Sequence, residues 1–161
     1  QDVIKVSPKD KFKELSNQIK KRDGSILVFV KTKYGTEKLS KRLKKDGIKS
    51  TALHGGLRQN KRSRIMDNFR DEKFRIMIAT DIASRGIDVP HIEHVINYDL
   101  PQAPEDFVHR IGRTARAGSV GEALSFITPN DSKIWKSIEM TLQRLSNKGG
   151  DKKVFKKRKR R

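Results

Sequence analysis

The sequence predicts an α/β domain built on a doubly wound parallel sheet. Short apolar runs rich in branched residues alternate with longer segments in which apolar residues recur every three or four positions. The 161 residues suit a single domain, and 34% hydrophobic residues suffice for an ordinary core. No apolar run approaches the roughly 18 to 20 residues that span a bilayer.

Five strands are predicted, each as a short apolar run, at residues 26–30, 50–53, 75–79, 94–98 and 122–127. In open parallel sheets, ligands bind beyond the carboxyl ends of the strands, where the loops converge. We therefore expect the loops that follow these strands to carry the chemistry.

Helices are predicted between the strands. Ser7 and Pro8 open the first, because serine caps a helix and proline fits its first turn. The second contains a leucine repeat and closes at Gly47. Two more are predicted at residues 58–70 and 131–145, each with its apolar residues on one side.

The charge balance predicts a polyanionic partner. The net charge is +19 and the pI is near 10.4, which favours nucleic acid first and an anionic membrane surface second. Residues 146–161 hold nine Lys or Arg and one Asp, and we expect them to form a basic tail without packed structure, after a folded domain at 1–145. This tail is a solvated segment, a nonspecific nucleic-acid arm or a localisation signal.

Cysteine is absent, which excludes disulfides and thiolate metal sites and agrees with a reducing compartment, so we expect a cytoplasmic protein. His54, His91, His94 and His109 show no metal-binding spacing, and no metal site is predicted. The chain starts with glutamine and has no signal-peptide pattern, so we expect it to be part of a longer protein.

The stretch "HRIGRTARAG" concentrates fixed positive charge. Pro104 begins a predicted helix, His109, Arg110 and Arg113 fall near its end, and Arg116 lies in the loop beyond. Guanidinium groups suit phosphate, because they are planar, permanently charged and able to bind two oxygens at once. The alternative is a surface cluster of salt bridges, which the few acidic residues nearby in the sequence disfavour.

The stretch "ATDIASRGIDVP" follows a predicted buried strand. Thr80 and Asp81 stand at its carboxyl end, Gly86 permits an unusual turn, and Asp88 precedes a proline. A carboxylate there suits a ribose hydroxyl. The alternative is that Asp81 and Asp88 are turn or cap residues.

The stretch "LHGGLRQNKR" joins another strand end to a helix. Gly56 lies in the loop, and Gln59 and Arg62 open the helix, whose free backbone N–H groups suit a phosphate without reading a sequence. The alternative is that the paired glycines only make a turn.

Together with "VFVKTK" and "VINYDLP", these stretches resemble, in order and spacing, the second RecA-like domain of DEAD-box RNA helicases, and bacterial members look nearest. The resemblance covers residues 1–145. One departure is Ala115, which stands where most of the family has glycine in the last motif.

The resemblance implies the roles of individual residues. Arg113 and Arg116 match the arginines that reach the γ-phosphate of ATP held between two domains, Asp88 matches the aspartate that touches the ribose, and His109 matches a link to the other domain. The implied RNA-backbone contacts are Thr80, Arg85, Gly56, Gln59 and Arg62.

The resemblance also implies partners that the chain lacks. There is no G-x-x-x-x-G-K-S/T loop, no D-E-A-D quartet and no S-A-T triplet, so ATP with Mg²⁺ would be held largely by an N-terminal RecA-like domain. We expect this chain alone to be inactive, and RNA and that domain to be its partners, with no membrane. The alternatives are a non-catalytic RNA-binding module, a DNA-directed helicase of the same superfamily, and a doubly wound domain that binds a small molecule.

Overall fold

A computed structural model of the chain describes residues 1–85, 92–114 and 122–148. The described strands pair in parallel in a single sheet, in the order β1-β6-β5-β2-β4-β3. They are β1 Asp2–Lys5, β2 Ile26–Phe29, β3 Thr51–Leu53, β4 Ile76–Ala79, β5 His94–Asn97 and β6 Glu122–Ile127. The predicted fold class is confirmed.

Helices connect these strands and cover both faces of the sheet. They are α1 Lys11–Lys20, α2 Lys33–Lys45, α3 Gln59–Arg70, α4 Asp81–Ser84, α5 Pro104–Ile111 and α6 Ser132–Lys148. None of the helices in the described ranges is both long and apolar enough to cross a membrane.

The core has two sides, because alternate residues of a strand point to opposite faces. Val28 and Ile78 pack with α1 and α2 on one face, while Leu27 and Met77 pack with α3 on the other. Helices α5 and α6 extend the second face around Phe107. Full burial of each such side chain contributes roughly 1.5 to 3 kcal/mol.

The amino-terminal segment differs from the sequence prediction. The structure adds β1, a short edge strand that pairs with β6 and that the five predicted strands do not include. Helix α1 begins at Lys11 and not at Ser7, because Ser7 accepts hydrogen bonds from the Asp10 N–H in a separate turn. The prediction that Ser7 and Pro8 open the helix is therefore wrong.

The predicted end of the second helix is confirmed at Gly47. This residue has φ of +75°, which a side chain rarely adopts. Its N–H donates to the Lys44 carbonyl, and the Ile48 N–H donates to the Leu43 carbonyl, so these two carbonyls in the last turn of α2 are satisfied. The chain then turns back toward β3. Helix α6 extends to Lys148, so the first three residues of the predicted tail are helical.

The strand registers bring the candidate loops to one level of the sheet. Ala79 pairs with both Leu53 and Phe29, and Phe29 pairs with Asn97. The chain therefore leaves β2, β3, β4 and β5 side by side at the carboxyl edge. The functional loops predicted from the sequence follow these ends.

Candidate functional site

Thr80 and α4 lie at the carboxyl end of β4, between the ends of β2 and β3. Thr80 follows β4 directly and has an extended backbone. It is the N-cap residue of the short helix α4, which begins at Asp81. Its side chain is largely buried and makes no hydrogen bond to the described residues. Arg85 follows α4, and its side chain is 63% exposed.

The Arg110 side chain joins α5 to this edge. It is 2% exposed, and its Nε and Nη2 atoms donate to the two carboxylate oxygens of Asp81, each at 2.6 Å. Nη1 donates to Asn97 Oδ1 at 3.1 Å and to the Asp99 carbonyl at 2.6 Å. The guanidinium also lies over the Phe29 ring at 4.8 Å. Because the guanidinium is planar and bonded at all three nitrogen atoms, it fixes both the position of α5 at this edge and the angle at which α5 lies.

The prediction that this arginine cluster has few acidic partners is therefore wrong for Arg110. Its partner Asp81 lies 29 residues away along the chain, where a local search of the sequence does not reach. A signal was present in the sequence, because Arg110 stands three residues after the apolar Phe107, a spacing that places two residues on the same side of a helix.

His109 and Arg113 lie on the exposed side of the same region. The His109 side chain is 71% exposed, with Nδ1 at 4.0 Å from an Asp106 carboxylate oxygen. Arg113 lies in a turn after α5, where its N–H donates to the Arg110 carbonyl at 3.2 Å, and it is partly buried. Both belong to the group that lines a small cleft between α4 and α5: Asp81, Ser84, Arg85, Asp106, His109, Arg110 and Arg113.

An exposed ion pair also bridges these two segments. Arg85 Nη2 donates to Asp106 Oδ1 at 3.2 Å. Arg85 is a predicted RNA contact, whereas the sequence assigned no functional role to Asp106. The structure thus brings Arg85, His109 and Arg113 around one cleft, next to the buried Arg110. Thr80 does not line this cleft and lies just before α4.

The loop after β3, residues 54–56, is named the HGG loop here and takes its shape from His54. The Gly56 N–H donates to His54 Nδ1 at 3.0 Å, so the ring proton lies on Nε2, which donates to Glu37 Oε1 at 2.9 Å. A Cβ atom at position 56 would lie 3.1 Å from the imidazole, which is closer than ordinary van der Waals contact, so glycine suits this position. The Lys33 ammonium lies close to Gly55.

Gln59 and Arg62 lie in the first turn of α3, as predicted, with Arg58 as the N-cap residue. This turn has no acidic residue, although the positive end of a helix dipole favours acids and disfavours cations. Within the described part of the chain, the Arg62 side chain has no ion pair. The turn is thus an uncompensated positive surface.

Tyr98 follows β5 at the same edge, packed against Phe126. Burial raises the pKa of its phenol, the Asp99 carboxylate raises this pKa further, and Arg42 opposes the shift. Asp99 in turn accepts a hydrogen bond from Lys11 Nζ at 2.6 Å. Asp99 and Asn97 are structural residues of the edge that the sequence analysis did not identify.

Two predicted site residues, Asp88 and Arg116, lie outside the described residues, as do Gly86 and Ala115. Among the residues that are described, no group of three or more His, Cys, Asp or Glu side chains is placed to hold a metal ion.

Comparison with known proteins identifies relatives over most of the chain. Residues 10–118 match the family described as "Helicase conserved C-terminal domain". The ATP-dependent RNA helicase DBP2 of Candida albicans is 48% identical over 122 residues, which are 76% of this chain and 22% of that protein. Similar curated relatives also come from a plant and a bacterium, so a bacterial source stays a prediction.

Solved structures show the same fold. A DEAD box protein from Methanococcus jannaschii superposes with a TM-score of 0.84 at 43% identity, over 89% of this chain and 39% of that one. Saccharomyces cerevisiae Dbp5, solved bound to RNA and ADP BeF3, gives 0.81 at 32% identity, over 97% and 39%. The described fold is therefore a RecA-like helicase C-terminal domain.

Proposed function

This chain belongs to the helicase C-terminal domain family as the C-terminal domain of a DEAD-box RNA helicase, and from this we propose that it completes a split ATPase site and binds the RNA backbone. The observation that carries the proposal is the shared cleft between α4 and α5, which holds the candidate RNA residue Arg85, the candidate ATP residue Arg113 and the candidate interdomain residue His109.

The activity belongs to a longer protein. The chain spans about a quarter of the length of the DBP2 relatives that it matches. The sequence contains no G-x-x-x-x-G-K-S/T loop and no D-E-A-D quartet, so we assign the cradle for the β-phosphate and the Mg²⁺ site to an N-terminal RecA-like domain. We expect the 161 residues alone to hydrolyse no ATP.

We assign one part of the carboxyl edge to ATP. Arg113 and Arg116 stabilise charge that develops on the γ-phosphate, Asp88 binds the ribose, and His109 contacts the N-terminal domain. The position of Arg113 in the turn after α5 and the exposure of His109 support this assignment. ATP bound between the domains would bring Arg113 to its phosphate oxygens only when the domains close.

We assign the adjoining part to RNA. Thr80, Arg85, Gly56, Gln59 and Arg62 would contact sugar and phosphate, which carries no base preference. The unbonded Thr80 side chain, the exposed Arg85 and the uncompensated cations of the α3 first turn support the assignment. Closure around RNA would bend one strand and open a short duplex, and hydrolysis would reopen the cleft.

The remaining predictions concern the chain as a whole. We propose that the folded unit predicted over residues 1–145, in which α6 continues to Lys148, is followed by a basic segment that adds nonspecific RNA affinity, because eight of the thirteen residues 149–161 are Lys or Arg. The cytoplasmic location expected from the sequence stays a prediction.

The test uses the full-length protein with Arg113→Ala or Arg62→Ala, and measures ATPase rate against RNA concentration. Arg113→Ala should lower the rate at saturating RNA by about 10³-fold or more, because an arginine finger acts in the transition state. Arg62→Ala should mainly raise the RNA concentration needed for half-maximal stimulation.

Arg70→Ala, at the exposed end of the same helix α3, is the matched control and should change neither quantity. A normal maximal rate for Arg113→Ala would contradict the ATP assignment. A low maximal rate for Arg62→Ala at saturating RNA would contradict the RNA assignment. ATP turnover by the 161-residue chain alone would contradict the split site.

A further inference from the structure

Two ion pairs connect the α4 segment with α5, and they differ in burial. The inner pair, Arg110 with Asp81, is bidentate, and its guanidinium is 2% exposed while its carboxylate is 27% exposed. The outer pair, Arg85 with Asp106, has a single hydrogen bond of 3.2 Å between side chains that are 63% and 26% exposed. The inner pair is therefore a fixed connection, and the outer pair can exchange with solvent ions.

The outer pair occupies the arginine that the proposed function gives to RNA. Asp106 is the acidic group that Arg85 meets in the described part of the chain, and the same carboxylate lies 4.0 Å from His109 Nδ1. A guanidinium held by a carboxylate has fewer donors for a phosphate, and the negative charge of the carboxylate repels that phosphate.

We propose that Asp106 competes with RNA phosphate for Arg85, so that this carboxylate sets the RNA affinity of the edge. The proposal rests on the proposed function, because it takes Arg85 as an RNA contact. An exposed single ion pair is weak, whereas a phosphate offers Arg85 two charge-assisted bonds, so RNA displaces Asp106.

The inner pair explains why this exchange leaves the fold intact. Arg110 keeps its bonds to Asp81, Asn97 and the Asp99 carbonyl when Arg85 moves, so α4 and α5 stay in register. Only the Arg85 side chain has to turn from Asp106 toward the RNA. Asp106 is thus a positioning residue that limits how tightly the free protein binds RNA.

The test compares Asp106→Asn with Glu105→Gln in the 161-residue chain. Glu105 lies beside Asp106 in the first turn of α5, is exposed, and makes no ion pair with the described residues, so both variants lose one negative charge at nearly the same place. The measurement is fluorescence anisotropy with a labelled single-stranded oligouridine at about 100 mM salt. Asp106→Asn should bind about two- to fivefold more tightly than Glu105→Gln.

The same two substitutions are repeated in an Arg85→Gln background, where the difference should vanish because the competed group is gone. Equal affinities of Asp106→Asn and Glu105→Gln in the Arg85 protein would overturn the proposal, and so would weaker binding by Asp106→Asn. Those results leave the proposed function standing. If Arg85→Gln binds RNA as tightly as the unmodified chain, both the RNA assignment of Arg85 and this proposal are wrong.

Discussion

Removal of the buried guanidinium by Arg110→Met should destabilise the domain more than removal of any exposed arginine. Methionine replaces the stem of arginine from Cβ to Nε with apolar atoms and lacks the rest of the guanidinium, so the loss comes mainly from the polar head. Four hydrogen bonds disappear, and the Asp81 carboxylate and Asn97 amide lose their shared donor. Breaking a buried ion pair from one side costs about 3 to 5 kcal/mol.

The structure places the expected loss at the lower end of that range. Asp81 is 27% exposed, so water can hydrate part of the abandoned carboxylate. We therefore expect a decrease in the free energy of unfolding of about 3 kcal/mol. The control Arg70→Met breaks an exposed pair with Asp67, whose side chains are 48% and 65% exposed, and should cost less than about 1 kcal/mol.

Urea unfolding followed by tryptophan fluorescence measures both variants. Trp135 is the single tryptophan, and its ring packs 5.7 Å from Phe107 of α5, the helix that carries Arg110. With a slope of about 2 kcal/mol per molar urea, the Arg110→Met midpoint should fall by about 1.5 M. Adding Asp81→Asn should restore more than half of the loss, because it removes the unpaired charge.

Equal midpoints for Arg110→Met and Arg70→Met would refute the claim that the Arg110 network stabilises the edge. Failure of Asp81→Asn to restore stability would show that the loss arises from packing and not from the abandoned carboxylate.

Two further outcomes follow from the edge and the tail. Because burial and Asp99 raise the pKa of Tyr98 in the folded state, the protonated phenol favours folding, and this contribution is full below about pH 10 and is lost as pH rises through the folded pKa. Tyr98→Phe should therefore lose less stability than the unmodified chain between pH 9 and 11 in urea unfolding, and parallel pH profiles would contradict this. Deletion of residues 149–161, which leaves α6 intact, should weaken binding of all RNA sequences alike. It should also flatten the log-log salt dependence by about 0.7 per lost phosphate contact, and an unchanged slope would mean that the tail is only solvated charge.

The sheet was predictable because its signals are local. The run at Ile26–Phe29 is fully buried on both faces and is continuous in apolar residues, as parallel strands are. The α5 start was equally clear, since Pro104 stands at the first helical position with two acids after it. The edge strand β1 was missed, because Asp2–Lys5 is short and charged at both ends.

The candidate site was predictable in position but not in pairing. Strand ends located Thr80 and the HGG loop, because parallel strands bring their carboxyl ends to one edge. The pairs Arg110 with Asp81 and Arg85 with Asp106 span 29 and 21 residues. Only the packing of α5 against the edge brings these charges together, and no local pattern encodes that packing.

The burial of Arg110 costs desolvation, and an apolar pair of similar volume would stabilise many folds equally well. An apolar pair, however, sets no preferred angle between the two elements that it joins. The planar guanidinium, bonded at Nε, Nη1 and Nη2 at once, allows α5 only one orientation relative to Asp81 and the end of β5. The backbone of Arg113, in the turn after α5, and that of Arg85, in the segment after α4, are therefore held in a fixed relation through Arg110, while the Arg85 side chain stays free to turn. The proposed split site would need this, because Arg113 would have to meet a phosphate presented by another domain without searching for it.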